Sequence, residues 1–142
     1  MSNETTTTVA GNLTADPELR VTGSGVPVAH FTVASTSRVQ DSSSGEWRDG
    51  DTLFLRCTVW RRMAENVMES LRKGNRVVVT GRLQQRTYET DEGQKRSALE
   101  LVADEVSVSL RHAIVRAAPS RARTDAGYGV IVPPEHAGRA VG

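Results

Sequence analysis

The 142 residues hold eighteen Lys plus Arg against seventeen Asp plus Glu, a net charge of +1, with 37% hydrophobic residues and only two Trp, two Tyr and two Phe. That length suits about one domain with a tail and is too short for two ordinary domains. No apolar run is long enough to span a bilayer, the opening MSNETTTT has no basic or apolar signal region, and the single Cys57 cannot form an internal disulfide, so a soluble cytoplasmic chain is expected.

Residues 5–13 begin β-branched and end at Gly11-Asn12, a turn or bulge signal, and read as a first strand. A turn at 15–18 leads into an extended stretch over 19–22. Gly23-Ser24-Gly25 then connects as a hairpin to a strand over 26–35, VPVAHFTVAS. Residues 36–51, TSRVQDSSSGEWRDGD, are too polar for a core element and predict a long loop, disordered or functional. Trp47 lies inside it, costly to leave in water, and predicts contact with a ligand, a neighbouring subunit or its own domain.

Residues 53–60, LFLRCTVW, alternate in character. Leu53, Leu55, Cys57 and Val59 form an apolar face for a core, where Cys57 is a small buried thiol rather than a nucleophile. Phe54, Arg56, Thr58 and Trp60 form the other face, which interleaves rings with a permanent positive charge and has no carboxylate. Such a face suits base stacking and phosphate neutralisation, although a strand buried on both sides has the same pattern.

Residues 61–73, RRMAENVMESLRK, predict the one clear helix, with Ala64, Val67, Met68 and Leu71 on a core stripe and Lys73-Gly74 as its stop. The strand over 76–88, RVVVTGRLQQRTY, again has two faces, its outer set including Arg76, Arg82, Gln84, Arg86 and Tyr88. Read as the neighbour of 53–60, it favours a binding surface over a second core, because half of the six rings then point outward. A turn at 90–94 precedes a fifth strand over 95–102 and an extended piece through 110. Residues 113–142, rich in Ala, Arg, Pro and Gly, predict a mobile tail after a domain spanning 1–112.

Charge is unevenly spread. Residues 1–53 carry three Arg against seven acids, while 54–142 carry fifteen basic residues against ten acids, so positive charge gathers where the mixed faces lie. His30, His112 and His136 are isolated and give no zinc spacing, and no Gly-rich phosphate loop or nucleophile elbow occurs. The expectation is a binding protein with no cofactor, not an enzyme.

The motifs VAGNLTADPELR at 9–20, VAHFTVAST at 28–36, AENVMESLRKGNRVVVTGRL at 64–83 and DEGQKR at 91–96 closely resemble bacterial single-stranded DNA-binding proteins, with an actinobacterial flavour, over residues 5–112. The resemblance implies an all-β OB-fold, a five-stranded Greek-key barrel with one helix between its third and fourth strands. It implies a non-catalytic homotetramer that binds single-stranded DNA in the nucleoid without sequence preference, during replication, recombination and repair. On this sequence the stacking positions fall at Phe54, Trp60 and Tyr88, and the phosphate-contacting positions at Arg56, Arg62, Arg72, Lys73, Arg86 and Arg96. Arg82 adds a basic group to the same outer set.

Two departures stand out. The family often has a ring at the start of the long loop, where this chain has Val39 and Gln40, and Trp47 is the ring available to replace it. Replication-fork members end in an acidic tip with a terminal Phe that recruits other proteins, whereas this sequence ends PPEHAGRAVG with Glu135 as its last acid. The expectation is a second, specialised copy; an OB-fold scaffold in a primosome or recombination complex with weak DNA affinity is the alternative.

Overall fold

The structure, a computed structural model, describes residues 4–120. The elements run β1 (Thr5–Leu13), β2 (Glu18–Val21), β3 (Pro27–Gln40), β4 (Trp47–Trp60), α1 (Arg62–Ser70), β5 (Arg76–Glu89) and β6 (Lys95–Val108). The sheet order is β1-β5-β6-β4-β3-β2, and β1 also pairs with β3, so five strands close into a ring. The short β2 is an additional edge strand laid antiparallel on β3. Among the described residues only β4 and β6 are parallel neighbours, as a Greek-key crossover requires. The five-stranded barrel expected from the sequence is the fold observed, and its helix follows the third strand of the ring.

Closure depends on β1 changing partners. It pairs with β5 from Thr5 to Asn12 and with β3 at Asn12 and Leu13. Gly11 sits at the change, where a Cβ would run into the carbonyl of Ala34. Gly81 permits a similar approach to the Val102 carbonyl, next to the register shift between β5 and β6.

The inward positions alternate as strands dictate: Val9 and Leu13, Phe31 and Val33, Leu55, Cys57 and Val59, Val77 and Val79, and Leu101 form one buried cluster. Ala64, Val67 and Leu71 from the helical segment complete it. Burial pushes the Cys57 thiol up to about 12. The expected apolar face of β4 is corrected at one position: Leu53 is 56% exposed, because the barrel interior ends at Leu55.

The helix is shorter than 61–73. Leu71 leaves it with φ −111° and ψ 146°. Asn75 Oδ1 then accepts the Arg72 N–H, and Asp16 Oδ1 the Lys73 N–H, each at 2.8 Å. These carboxamide and carboxylate oxygens take the donors that further helix would have used.

The polar segment 36–51 is also corrected, for most of it is strand. Polar side chains suit a hairpin whose two faces both meet solvent outside the barrel, so polarity there did not mark a loop. Only residues 41–46 turn. Asp41 begins the turn by accepting the Ser43 N–H at 2.9 Å and the Ser43 hydroxyl at 2.8 Å, bonds that lower its pKa, and Gly45 takes φ +75°. Likewise, β6 continues unbroken to Val108.

Val108 closes one compact unit, and a second begins at Ser109. Residues 109–120 contain no helix or strand. The rest of the expected tail, 121–142, lies outside the described residues. Among the described residues no helix is long and apolar enough to cross a membrane.

Candidate nucleic-acid interface

The outer face of the ring spans β5, β6, β4, β3 and β2 in that order. Strand β6 therefore lies between β4 and β5, which sequence alternation had treated as neighbours. From β4 come Phe54, Arg56, Thr58 and Trp60; from β5 come Arg82, Gln84, Arg86 and Tyr88. The rings are open to solvent: Phe54 is 63% exposed, Trp60 43% and Tyr88 41%. Rings that merely filled a second core would be covered, so exposure supports the surface reading of both strands.

Trp47 reaches this face through a bulge. Thr36 lies opposite Thr52, but Arg38 lies opposite Asp49, so two steps on β3 match three on β4. The extra residue reverses the alternation. Thr36 and Thr52 join hydroxyls at 2.8 Å on the outer face, and Arg38 and Asp49 approach to 3.7 Å on the same side. Trp47, paired with Gln40 and exposed, follows Asp49 onto that side.

The guanidinium groups differ in how far they are already engaged. Arg86 lies 5.3 Å from the Tyr88 ring centroid, a cation–π pair that holds ring and charge together. Arg96 is directly opposite Tyr88 on β6 and bonds Gln94 Oε1 at 3.0 Å. Arg56 approaches Glu100 at 4.0 Å, and its Nε, like that of Arg86, is buried with no hydrogen-bond partner among the described residues. Neither guanidinium is fully satisfied by those residues. Arg82 is held by two carboxylates, Glu4 at 3.3 Å and Asp104 at 3.9 Å.

Three sequence-predicted positions lie off the strands' face. Arg62 opens α1, exposed, two positions after Trp60. Arg72 turns its Nη1 back to the Met68 and Leu71 carbonyls, each at 2.7 Å, and caps the helix. Lys73 is exposed in the connection whose Gly74 N–H bonds the Leu13 carbonyl.

A polar group that the sequence reading missed lies at the centre of the face. Glu100 on β6 pairs with Arg56, and its Oε2 accepts the Thr58 hydroxyl at 2.8 Å; Thr58 Oγ1 in turn lies 3.2 Å from His30 Nδ1. The face is therefore not free of carboxylate. Alternation along β6 would have placed Glu100 outward, but it belongs to this face only because β6 is inserted beside β4. His30 is lowered below its usual pKa, first by burial and then by Arg56, with Glu100 opposing.

The model described as "Single-strand binding protein family" matches residues 4–109. A single-stranded DNA-binding protein of Mycolicibacterium smegmatis is 61% identical over 116 residues, covering 82% of this chain and 70% of that protein. Single-stranded DNA-binding protein 2 of Streptomyces coelicolor is 58% identical over 116 residues, covering 82% of this chain and 58% of that protein. Among solved structures, the crystal structure of a small single-stranded DNA-binding protein from Streptomyces coelicolor matches with a TM-score of 0.65 and 34% identity, covering 77% of this chain and 97% of that one.

Proposed function

The chain belongs to the single-strand binding protein family, and from that premise we propose that it coats single-stranded DNA without strong sequence preference, protecting single strands in replication, recombination and repair. One observation carries the reading: four exposed rings, Trp47, Phe54, Trp60 and Tyr88, share one face with Arg56, Arg86 and Arg96. Every base has a π-face, so rings give affinity without reading sequence, and the arginines neutralise the phosphates between. The role is binding, not catalysis. Arg62 and Lys73 contact a strand that continues past the sheet, and Arg72 and Arg82 contribute mainly through the field they add.

The test is a titration of the chain with oligo-thymidylate, duplex DNA and single-stranded RNA at one salt concentration. Tight, length-dependent binding of the thymidylate with little duplex binding is expected. Equal affinity for RNA would remove the DNA assignment, because stacking does not read the 2′-hydroxyl. Weak binding to all three would favour the scaffold alternative.

The protein works as an oligomer, four copies being the number the family resemblance implies. Among the described residues, strand β1 has a partner on one edge only over residues 5–11, since β3 meets it only at Asn12 and Leu13. Beside that edge opens a cleft of about 580 Å³ lined by Thr7, Val9, Leu53, Leu55, Leu83 and Leu99. Leu53 and Leu99 are more than half exposed there, which a lone copy would leave in water. Native mass spectrometry is expected to give a tetramer; a stable monomer at micromolar concentration would overturn it.

A further inference from the structure

We propose that His30 is a proton-gated phosphate contact, its Nε2 donating to the backbone of a nucleic-acid strand only when the ring is charged, a role that rests on the single-strand-binding reading of this face. The geometry assigns the two ring nitrogens. Thr58 donates its hydroxyl hydrogen to Glu100 Oε2 at 2.8 Å, so toward His30, at 3.2 Å, its oxygen can only accept. Nδ1 must therefore be the N–H nitrogen in the neutral ring. Nε2 is left without a hydrogen, and among the described residues it has no hydrogen-bond partner. Neutral His30 thus offers a lone pair to an approaching phosphate, which repels it; protonated His30 offers a second donor.

The charges around the ring make that proton sensitive to a bound anion. On β4, Arg56 opposes the charged form, as do Arg20 on β2 and Arg86 on β5; Glu100 on β6 favours it. Glu18 lies directly opposite His30 on β2. Helix α1 meets β3 through the core, by Ala64 and Val67, and so on the other side of the strand. Burial and the three arginines hold the free ring neutral at neutral pH. A phosphate placed over the arginines cancels their repulsion and adds attraction of its own, so the ring takes up a proton when DNA binds.

By linkage, affinity must then rise as pH falls through the pKa of the bound ring, and level off below that of the free ring. If phosphate raises the pKa by about one unit, the gain is about tenfold. The experiment measures the affinity of the full chain for oligo-thymidylate between about pH 5 and 8.5 at constant ionic strength, for wild type and for His30→Asn. Asparagine can still donate to Thr58 but cannot titrate. Wild type is expected to tighten more steeply toward low pH than the variant, by several-fold to about tenfold over the range.

Titration of the His30 ring by NMR, with and without the oligonucleotide, gives an independent reading in unmutated protein, and its pKa is expected to be higher in the complex. Parallel pH profiles for wild type and variant, or a His30 pKa that DNA does not move, would overturn the assignment while leaving DNA binding intact. Failure of wild type to bind oligo-thymidylate at any pH would instead overturn the reading of the face itself.

Discussion

Trp47 and Phe54 are separated by an odd number of positions on one strand and nevertheless lie on the same face of it. Regular alternation would oppose them. The irregularity between the Thr36–Thr52 and Arg38–Asp49 pairs adds one residue to β4 and carries Trp47 across. If that bulge serves to bring in a fourth ring, deleting Asp51 should weaken single-strand binding about as much as Trp47→Ala, by about 1–3 kcal/mol for one lost stack. Fluorescence anisotropy with oligo-thymidylate decides it. A deletion that binds like wild type would show that the position of Trp47 is immaterial.

Stacking should outweigh charge at moderate salt. Stacking on OB-folds of this kind, of which this family is the type example, contributes about 1–3 kcal/mol per base, so three or four rings give several kcal/mol even when not additive. Four phosphate contacts, with a slope of about 0.7 per charge, lose only about 1.7 decades between roughly 50 and 200 mM salt. Phe54→Ala or Trp60→Ala is therefore expected to reduce affinity at about 200 mM salt by more than Arg86→Ala. The reverse order would identify the guanidiniums as the main platform.

Within the strands the sequence was legible wherever one side of the chain meets the core, because alternation then has a consequence. Cys57 and Val59 are buried and Phe54 and Trp60 exposed, the division into two faces that LFLRCTVW predicts. Beyond the barrel that consequence vanishes. Arg38 and Asp49 project with no core beneath them, so their polarity resembled that of a loop although they are a cross-strand pair. The bulge that moves Trp47 has no signature in a one-dimensional pattern, being a mismatch between two strands. Glu100 was missed for a topological reason. Its place beside Arg56 follows from the parallel β4–β6 pairing, which joins residues far apart in the chain.

Gly81 tests how closely the barrel must pack. A Cβ there would meet the Val102 carbonyl and the Ala103 Cα, both backbone, so no side chain can swing aside. Gly81→Ala is expected to cost about 3 kcal/mol or more, by forcing β5 and β6 apart at their register shift. Urea denaturation measures it. A loss within about 0.5 kcal/mol, typical of surface substitutions, would mean that the strands separate there easily.

Cys57 should be chemically silent in the folded state. It has no exposed surface, and burial holds its thiol near 12, so scarcely any thiolate forms at about pH 8. A thiol reagent is expected to modify the protein only at the rate of unfolding, with the rate rising in urea as the folded population falls. Rapid reaction in native buffer would show that the barrel opens locally around β4.

Residues 113–142 hold Arg116, Arg121, Arg123 and Arg139 against Asp125 and Glu135, a net charge of +2. Charge of this sign attracts phosphate weakly and without specificity, so the segment should assist the sheet face rather than compete with DNA for it. The strand ladder ends at Val108, so a chain cut after His112 retains every helix and strand described above. Such a chain is expected to keep its fold and oligomeric state and to bind oligo-thymidylate equally well or slightly less well. Its log–log salt slope should be shallower by less than about one unit. If truncation instead tightened binding several-fold, the segment would be occupying the DNA face despite its charge, and electrostatic attraction to phosphate would not be its dominant interaction.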